Sequence, residues 1–511
     1  MSGRLHRVCL CGAVLAAVFV VPVLADEGSS ATGSTDNTAR LEAMLEAQQK
    51  KIEALEQQVV AAQQQDVDRS RVEQMKQQIR EVLSEQEFRE SLMASTVQAG
   101  YDKGFYIRSS DEKFTMKING LFQFRWTYYG SQKDNRYLAP GYRKSARAGF
   151  DWSRLRLAFS GNVYSKDLTY YMEFDSSQSN GLNTRVIYAW LNYRFVDEFQ
   201  MKFGTFRPAS TRADVGSTSQ FQLVEYPTMN AVFGGGIGTG VRAWGQLFGK
   251  RVEYYVDAMN SWGSSTTQTI TNDEDYYTNG HDTSPAIWAR VVWHALTGAC
   301  SNGSPAVNQH FDTLSDIDHH TEPALDFGMH YGFKDDQYDG SLRIPYPRRT
   351  FFRQGGFGLT DSEGLQINQF GVDAAFKWQG FSITGEYALR ILDVRDGQGP
   401  PYTPLFQLTG DDSTNVQHGG YVQAGYFLPI PGLENKIEAV ARVGGVSTLS
   451  GGQEGTWDYG GGLNYFIQGN KVKLQADVTK VSEVPISNSS YSLANVNDDA
   501  LIWRLQLQVA F

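Results

Sequence analysis

The feature that most constrains the fold of this chain is an alternation of apolar and polar residues with a period of two. In the segment 114–128, Phe114, Met116 and Ile118 fall on one face, whereas Lys117 falls on the other. Successive side chains of a β-strand point to opposite faces of its sheet, so this pattern predicts strands that have one apolar and one polar face.

Sixteen segments carry this alternation, and each has about the length that a tilted strand needs to cross a bilayer. These segments are residues 114–128, 149–163, 168–175, 186–195, 199–206, 237–248, 251–260, 286–295, 324–333, 367–378, 381–391, 418–428, 434–446, 456–467, 471–480 and 500–511. Short turns such as Gln379-Gly380 alternate with long polar loops, except that the connection 296–323 is long where a short turn is expected. Because outer-membrane barrels show this asymmetry, we predict that residues 101–511 form an all-β, 16-stranded antiparallel transmembrane β-barrel.

The last predicted strand has an unbroken apolar face that includes Trp503 and Leu505 and ends at the terminal residue, Phe511. Such a strand would promote aggregation in water unless it were paired or in contact with lipid. A terminal aromatic residue resembles the signal that the barrel-assembly machinery reads, so we expect that machinery to bind the chain through Phe511. Outer-membrane lipid and lipopolysaccharide are the expected surroundings of the apolar face.

The chain begins with a segment, residues 1–25, that has the pattern of a secretory signal peptide. Arg4 and Arg7 precede a short apolar run, and the sequence predicts cleavage after Ala25. A membrane anchor is the alternative, but the run is short for a span and polar residues follow it. A polar linker rich in Gly, Ser and Thr occupies residues 26–37.

A different pattern follows the linker, because residues 38–95 contain neither Pro nor Gly and are rich in Gln, Glu, Ala and Leu. Ile52, Leu55 and Val59 have the spacing of one face of a helix, which predicts an amphipathic α-helix. We predict a periplasmic α-helical coiled coil over residues 38–100, and the alternative is a helix that packs on its own chain. Peptidoglycan is the candidate partner of such a coiled coil.

The composition excludes several classes of function. The formal net charge of -10 at pH 7 argues against a nucleic-acid partner. Cys9 and Cys11 lie in the predicted signal peptide, so Cys300 is the only thiol of the predicted mature chain, which predicts no intramolecular disulfide and no cysteine-based metal site. The connection 296–323 also holds metal-capable residues whose spacing matches no recognised site: His310, Asp312, Asp316, Asp318, His319 and His320. We predict a solvated connection there, and neither a metal nor a cofactor.

The polar faces of the predicted strands line the interior of the barrel if the apolar faces contact lipid. Sixteen basic and ten acidic residues fall on these interior faces, an excess of six positive charges in a chain that is negative as a whole. A cationic lining concentrates anions, so we predict an anion-preferring channel; the alternative is that the charges pair across strands and leave little net field. The basic residues that we predict to line the channel are Arg125, Arg154, Arg156, Arg194, Lys202, Arg242, Arg251 and Arg290.

The loop 207–236 follows the fifth predicted strand and is long enough to fold into the barrel and narrow it. Arg207 and Arg212 are the candidate residues of this constriction, because a guanidinium group offers forked donors to an anion. The alternative is a surface loop with solvated arginines.

Several motifs, in this order along the chain, resemble the phosphate-selective porin O and P family. They are Met201-Lys-Phe-Gly-Thr-Phe-Arg-Pro, Phe221-Gln-Leu-Val-Glu-Tyr-Pro-Thr-Met-Asn, Gly236-Ile-Gly-Thr-Gly-Val-Arg, Phe381-Ser-Ile-Thr-Gly-Glu-Tyr and Gly420-Tyr-Val-Gln-Ala-Gly-Tyr-Phe-Leu. The resemblance, over roughly residues 110–511, implies a homotrimer of barrels that select anions, often phosphate or polyphosphate. Family members tend to carry lysine in the constriction segment, whereas residues 208–220 contain none. We therefore expect passage of small anions in general rather than strict phosphate selectivity.

The function that these features predict is an outer-membrane porin, a water-filled channel through which small solutes, preferably anions, diffuse. An enzyme is not expected, because no nucleophile motif accompanies the histidines of the predicted barrel wall. Two alternatives are left. One is a sugar-permeable or non-selective porin, which should show an aromatic track in the lumen. The other is a tether between the outer membrane and the cell wall, built on a barrel that conducts nothing.

Overall fold

The computed structural model describes residues 43, 45–54, 97–102, 104–131, 146–177, 181–260, 262, 285–301, 303–337, 364–394, 414–448, 455–482 and 499–511. The chain divides into two compact units, Met1–Thr96 and Val97–Phe511. Among the described residues, no helix has both the length and the apolar character that crossing a membrane requires.

The first unit is described over part of the predicted helix. Residues 45–54 are α-helical, with Ile52 half-buried and Leu45 48% exposed. Residue 43 is also helical. The other residues of the predicted coiled coil up to residue 96 lie outside the described residues, as do the predicted signal peptide 1–25 and the linker 26–37.

The second unit is built from β-strands. In chain order they are β1 (Gln98–Tyr101), β2 (Phe105–Arg108), β3 (Thr115–Ser131), β4 (Arg147–Asn162), β5 (Leu168–Asp175), β6 (Arg185–Val196), β7 (Phe199–Phe206), β8 (Gly238–Leu247), β9 (Val252–Met259), β10 (Ala286–Leu296), β11 (Ala324–Gln337), β12 (Gly364–Trp378), β13 (Phe381–Val394), β14 (Thr414–Phe427), β15 (Ile437–Thr448), β16 (Thr456–Gln468), β17 (Val472–Ser482) and β18 (Ala500–Ala510). Strands β3 to β18 correspond to the sixteen segments that the alternation predicts.

Each strand from β3 onward pairs antiparallel with the next one along the chain, and β18 pairs with β3. The pairing of β18 with β3 runs from Ala500↔Ser131 to Ala510↔Leu121 and closes the sheet into a barrel. The predicted 16-stranded antiparallel barrel is therefore confirmed. A register slip of a single residue would turn every side chain of a strand to the wrong face. The alternation of apolar and polar residues therefore specifies how the strands of the barrel pair.

The two faces of the barrel wall are inverted relative to a soluble protein. On β18, Arg504, Gln506 and Gln508 are buried, whereas Trp503 and Leu505 are 49% and 55% exposed. Polar side chains fill the interior and apolar ones cover the outside, which is stable only when lipid surrounds the barrel. The fold therefore places this unit in the outer membrane.

The ends of the barrel differ in their connections, and the end with the tight turns and Phe511 is called the short-turn end below. The turn Gln379-Gly380 joins β12 to β13 with φ angles of 49° and 77°. Two consecutive positive φ angles are typical of the type I′ turn, whose twist matches that of the strands it joins.

A short hairpin that was not predicted from the sequence precedes the barrel. β1 and β2 pair with each other, and β2 then pairs with β3 through Phe105↔Ile118, beyond the end of β18. Residues 98–100, predicted as the end of the helix 38–100, are therefore strand. The reason is local, because Gly100 disfavours helix. A Cβ atom at position 100 would lie only 2.7 Å from the Tyr106 hydroxyl oxygen, so the hairpin also requires glycine there.

The C-terminal residue takes part in the closure of the barrel. The backbone N and O of Phe511 exchange two hydrogen bonds of 3.1 Å with those of Gly120 on β3. The Phe511 ring covers Gly120 and contacts Phe105 and Phe122 edge-on, with ring centroids 5.9 and 5.7 Å apart. A Cβ atom on Gly120 would lie 2.4 Å from this ring, so only glycine fits there without a shift.

We predict that Gly120→Ala weakens the closure of the barrel, because the added methyl group has to displace the Phe511 ring. Overpacking of this kind costs about 1–3 kcal/mol, which should lower the midpoint of thermal unfolding in detergent, measured by heat-modifiable electrophoretic mobility. Gly149→Ala on β4 is the matched control, since nothing lies within 4 Å of its Cβ position. Equal midpoints for both variants would contradict the proposed contact.

Candidate functional site

The connection between β7 and β8, residues 207–237, folds into the barrel and is called the inward loop. It contains two short α-helices, α1 (Arg212–Val215) and α2 (Thr228–Phe233), and one turn of 3₁₀ helix, Thr218–Gln220. Its backbone reaches distant strands: the amide of Arg212 donates to Glu386 on β13 at 2.6 Å, and that of Val224 donates to Asp477 on β17 at 2.8 Å. Both carboxylates lie on buried strand faces, so the loop lies inside the barrel.

One buried carboxylate, Asp214, holds the two ends of the inward loop together. The Thr211 hydroxyl caps α1 by accepting a hydrogen bond from the Asp214 amide at 3.2 Å. The Asp214 side chain in turn accepts from the amide of Gly236 at 2.9 Å and forms a short ion pair with Arg207. The loop is thus folded by its own polar groups and needs no hydrophobic core of its own.

The two predicted constriction residues are both paired with carboxylates. The Nε atom of Arg207 donates to the Tyr188 hydroxyl at 2.6 Å, in addition to its ion pair with Asp214. The Nε atom of Arg212 lies 2.6 Å from Asp373 on β12. The loop is therefore inside the barrel, as the sequence predicts, but neither guanidinium group lacks an acidic partner.

Two of the predicted channel-lining residues bind the inward loop through Glu225. The Glu225 carboxylate lies 2.5 Å from Arg125 Nη1 on β3 and 3.1 Å from Arg154 Nη2 on β4. Burial alone would raise the pKa of Glu225, but the Arg154 and Arg125 guanidinium groups outweigh it and lower the pKa to about 2. The carboxylate therefore stays ionised at neutral pH and fastens the loop to the wall.

Three more of the predicted channel-lining residues also form ion pairs. Arg156 lies 3.2 Å from Glu173. Arg242 lies 2.6 Å from Asp257, and Arg290 lies 2.6 Å from Asp373. The first two pairs join neighbouring strands, and the third joins β10 to β12. All three correspond to the alternative in which charges of the wall neutralise one another.

Arg194 and Arg251 lie at the rim of the barrel rather than on its inner wall. Arg194 is exposed and pairs with Asp167 at 2.7 Å and with Asp197 at 3.2 Å, both in turns at the short-turn end. Arg251 is exposed in the turn before β9. A strict period of two places both residues on the polar face of their strands. It does not show at which residue a strand leaves the inner wall and reaches the rim.

An open space remains between the inward loop and strands β3 to β8, and it is called the channel cavity. Its volume is about 490 Å³, and Lys202, Arg207 and Glu173 are among the residues that line it. The ammonium group of Lys202 lies 4.1 Å from the centre of the Trp190 ring and forms no ion pair with any described residue. Lys202 is therefore the cation of this cavity without a carboxylate partner in the described structure.

Aromatic side chains line the same wall in stacked pairs. Tyr171 stacks on Trp190 with ring centroids 5.5 Å apart, and Trp244 stacks on Tyr255 at 6.0 Å. Trp190 and Tyr188 are not among the residues predicted from the sequence, although both share the face of β6 that carries Arg194. The alternation of apolar and polar residues along β6 could have placed both residues on the interior face.

A β-bulge hid one further interior residue, Asp151. The pairing of β3 with β4 shifts between Gln123 and Phe124, so that Gln123 faces Arg154 and Phe124 faces Trp152. The extra residue reverses the alternation, and Asp151 pairs with Arg125 at 3.0 Å. A strict period of two assigns Asp151 to the lipid face, because a bulge is not visible in the alternation.

The connection between β10 and β11, residues 297–323, is called the link segment, and it is not the solvated connection that the sequence predicts. His310, Asp316 and His320 are at most 4% exposed. Lys377 on β12 donates to the His310 carbonyl at 2.9 Å, and the Ser315 hydroxyl donates to Glu438 on β15 at 2.8 Å. The link segment therefore folds into the barrel from the short-turn end.

Burial also affects the titratable groups of the link segment. It lowers the pKa of His310 to about 4, and nearby His320 contributes to this shift. Burial raises the pKa of the Cys300 thiol to about 11, with contributions from Asp318 and Asp316. At neutral pH His310 is therefore an uncharged imidazole and Cys300 is an uncharged thiol.

We predict that Glu225→Ala strongly destabilises the inward loop, because Arg125 and Arg154 lose their shared partner. Removal of one member of a buried ion pair costs about 3–5 kcal/mol. The variant should unfold at a lower temperature in detergent, and its single-channel current should fluctuate more than that of the unmodified protein. Glu434→Ala changes an exposed turn residue and is the control. A quiet channel with an unchanged midpoint would show that Glu225 does not hold the loop.

Part of the chain matches a protein-family model, and several solved structures are similar to it. Residues 127–283 match the family model described as phosphate-selective porin O and P. Similar solved structures include the outer membrane channel DcaP of Acinetobacter baumannii, at 14% identity over 78% of this chain and 97% of that one, with a TM-score of 0.45. Another is an anion-selective porin from Comamonas acidovorans, at 9% identity over 78% and 99% of the two chains, also with a TM-score of 0.45. No curated protein gives a significant match. The family match confirms the resemblance to the phosphate-selective porin O and P family, and together with the closed barrel it supports an outer-membrane porin channel.

Proposed function

We propose that this porin prefers small anions and that they pass through the channel cavity beside Lys202. The proposal rests on one observation about the basic residues of the cavity. Every other basic side chain has a carboxylate within ion-pair distance, whereas Lys202 has none among the described residues. No carboxylate among the described residues therefore neutralises the Lys202 ammonium group when it is protonated, and a permeating anion can contact it.

The lining of the cavity supports the same preference. Its basic residues are Arg156, Lys202, Arg207 and Arg242, and its acidic residue is Glu173. Because the three arginines are paired with carboxylates, Lys202 supplies the positive excess of this lining, and such an excess beside low-dielectric walls concentrates anions and repels cations. Family members tend to select anions, which agrees with this charge pattern.

In this proposal the paired arginines have a different role from the one that the sequence suggested. Arg125 and Arg154 hold the inward loop through Glu225, and Arg290 holds it by donating to the Ser210 carbonyl at 3.0 Å. Arg207 and Arg212 shape the narrow part of the channel from inside the loop. These five residues set the bore of the channel, and Lys202 sets the sign of the charge in it.

Passage of sugars is the second candidate function, and the stacked aromatic pairs favour it. Aromatic faces bind the apolar faces of sugar rings, and Tyr171 with Trp190 offers such a surface in the channel cavity. The same surface would also suit an anion that carries a flat apolar group.

The sequence and the family resemblance support proposals about the oligomer, the N-terminal segment and the partners of the chain. We propose a homotrimer, as in the family, with the segment 38–96 as a periplasmic coiled coil after cleavage of residues 1–25. Phe511 is the residue through which the barrel-assembly machinery binds the chain, and peptidoglycan is the proposed partner of the coiled coil.

We predict that Lys202→Met lowers the ratio of anion to cation permeability about fivefold, because a unit charge about 4 Å from an ion contributes about 1 kcal/mol in a water-filled passage. The measurement is the reversal potential of the channel in a planar bilayer under a salt gradient. Lys250→Gln, which alters an exposed turn at the short-turn end, is the control and should leave the ratio unchanged. Cation preference of the unmodified channel would contradict the whole proposal, and an unchanged ratio in Lys202→Met would remove Lys202 from it.

The two candidate solutes are distinguished by their block of the channel current. If sugars are the solutes, an added linear oligosaccharide should reduce the current, and Trp190→Ala should relieve that block. If anions are the solutes, added phosphate should reduce the chloride current, and Lys202→Met should relieve that block while Trp190→Ala changes it little.

A further inference from the structure

Three side chains that commonly bind metals meet inside the link segment. Cys300, His310 and His320 are buried, and their sulfur and nitrogen donor atoms lie within 4.8 Å of one another. The Nδ1 atom of His310 lies 2.9 Å from the Nε2 atom of His320. None of the three residues lines the channel cavity, so the cluster is separate from the proposed solute path.

The backbone of the link segment brings these residues together. Its two ends pair like a short hairpin, with an isolated bridge between Cys300 and His320. The Ser301 amide donates to the His319 carbonyl at 3.1 Å and strengthens this pairing. The chain between the two ends folds back and carries His310 to the same place, where Lys377 binds its carbonyl.

A carboxylate orients one of the rings. Asp316 Oδ1 lies 2.5 Å from His320 Nδ1, and Asp316 Oδ2 accepts from the Gly380 amide at 2.8 Å. Histidines that bind metals usually donate their second ring nitrogen to a carboxylate in this way, which fixes the tautomer. With its proton on Nδ1, His320 directs the lone pair of Nε2 towards His310.

We propose that Cys300, His310 and His320 bind a zinc ion inside the link segment. One sulfur and two imidazole nitrogens are ligands that zinc prefers, and three protein ligands leave the fourth tetrahedral position for water. Tetrahedral geometry with Zn–N bonds of about 2.0 Å separates two nitrogen ligands by about 3.3 Å. The two ring nitrogens, 2.9 Å apart, therefore need only a small movement to accept the ion.

Binding of the ion changes the protonation of its ligands and leaves all oxidation states unchanged. The Cys300 thiol loses its proton to solvent and binds as a thiolate, and both imidazoles bind as neutral rings. His310 then carries its ring proton on Nε2, because Nδ1 donates its lone pair to the metal. The product is a zinc ion with one thiolate, two imidazoles and a water molecule.

The proposed ion would fasten the link segment. It joins residues 300, 310 and 320 and so closes the loops between them. The same segment contacts the inward loop, since the Arg212 guanidinium lies 5.7 Å from the centre of the Phe311 ring. Zinc would therefore hold in place the layer of protein that supports the inward loop from the short-turn end.

The test uses the folded full-length chain in detergent, stripped of metal with a chelator and carrying Cys9→Ser and Cys11→Ser so that Cys300 is its only thiol. Cobalt(II) serves as the spectroscopic probe, because a thiolate ligand produces a charge-transfer band in the near ultraviolet. We expect this band at equimolar cobalt, its loss on addition of zinc, and a rise in the unfolding temperature with zinc.

Variants of the ligands identify the site. Cys300→Ser should abolish the band, and His320→Gln should weaken zinc binding at least tenfold. Asp316→Asn should retain the band and weaken binding about tenfold to hundredfold, as expected for a group that orients a ligand. His319→Gln is the matched control, because its ring belongs to the same segment but packs on Phe427, with ring centroids 5.5 Å apart.

The absence of a thiolate band in the parent chain would overturn the proposal. Zinc affinity that Cys300→Ser leaves unchanged would also overturn it. Should the ligand variants misfold, the rate of maleimide labelling of Cys300 in the parent chain decides the question: zinc should slow labelling, and an equal rate would reject the site. Binding of copper(I) without binding of zinc would reject the zinc assignment.

Discussion

A charged group inside this barrel has to find an opposite charge or a hydrogen-bond partner, because protein occupies much of the interior and an unpaired buried charge costs several kcal/mol. The wall and the inward loop satisfy this requirement for each other. Arg390 and Lys473 of the wall donate to the loop carbonyls of Val232 and Phe221 at 2.7 and 2.8 Å. The Glu386 carboxylate of the wall accepts from loop amides. The position of the loop therefore follows from the polar groups that the strands present.

The interior is consequently divided into two parts. On one side, the inward loop and the link segment occupy the space next to the strands that carry Lys377, Glu438 and Asp477. On the other side, next to β3 to β8, the channel cavity remains open. Basic residues have different roles on the two sides. A cation next to the inward loop binds that loop, whereas Lys202 has no carboxylate within reach in the described part of the chain and lines the channel cavity. The proposed selectivity depends on this difference rather than on the total charge of the wall.

Among the connections that the structure describes, the inward loop and the link segment enter the barrel from opposite ends and meet near Arg212 and Phe311. The inward loop is held by ion pairs such as that of Glu225, and the link segment by hydrogen bonds to Lys377 and Glu438. The proposed zinc ion would add a covalent-like constraint to the second connection. A change in the link segment would then reach the narrow part of the channel through direct contact, without any movement of the strands.

The sequence alone determined the barrel, because a period of two over sixteen segments leaves one way to place apolar side chains in lipid and polar ones inside. It also indicated the location of Arg207, Arg212 and most of the basic wall residues. Tertiary structure decided which charges remain available, because the partner of Arg125 is Glu225, 100 residues away, and the bulge on β4 turned Asp151 inward. It also brought Cys300, His310 and His320 together. Ion pairs and metal ligands depend on distances in space, and no local pattern of residues encodes such distances.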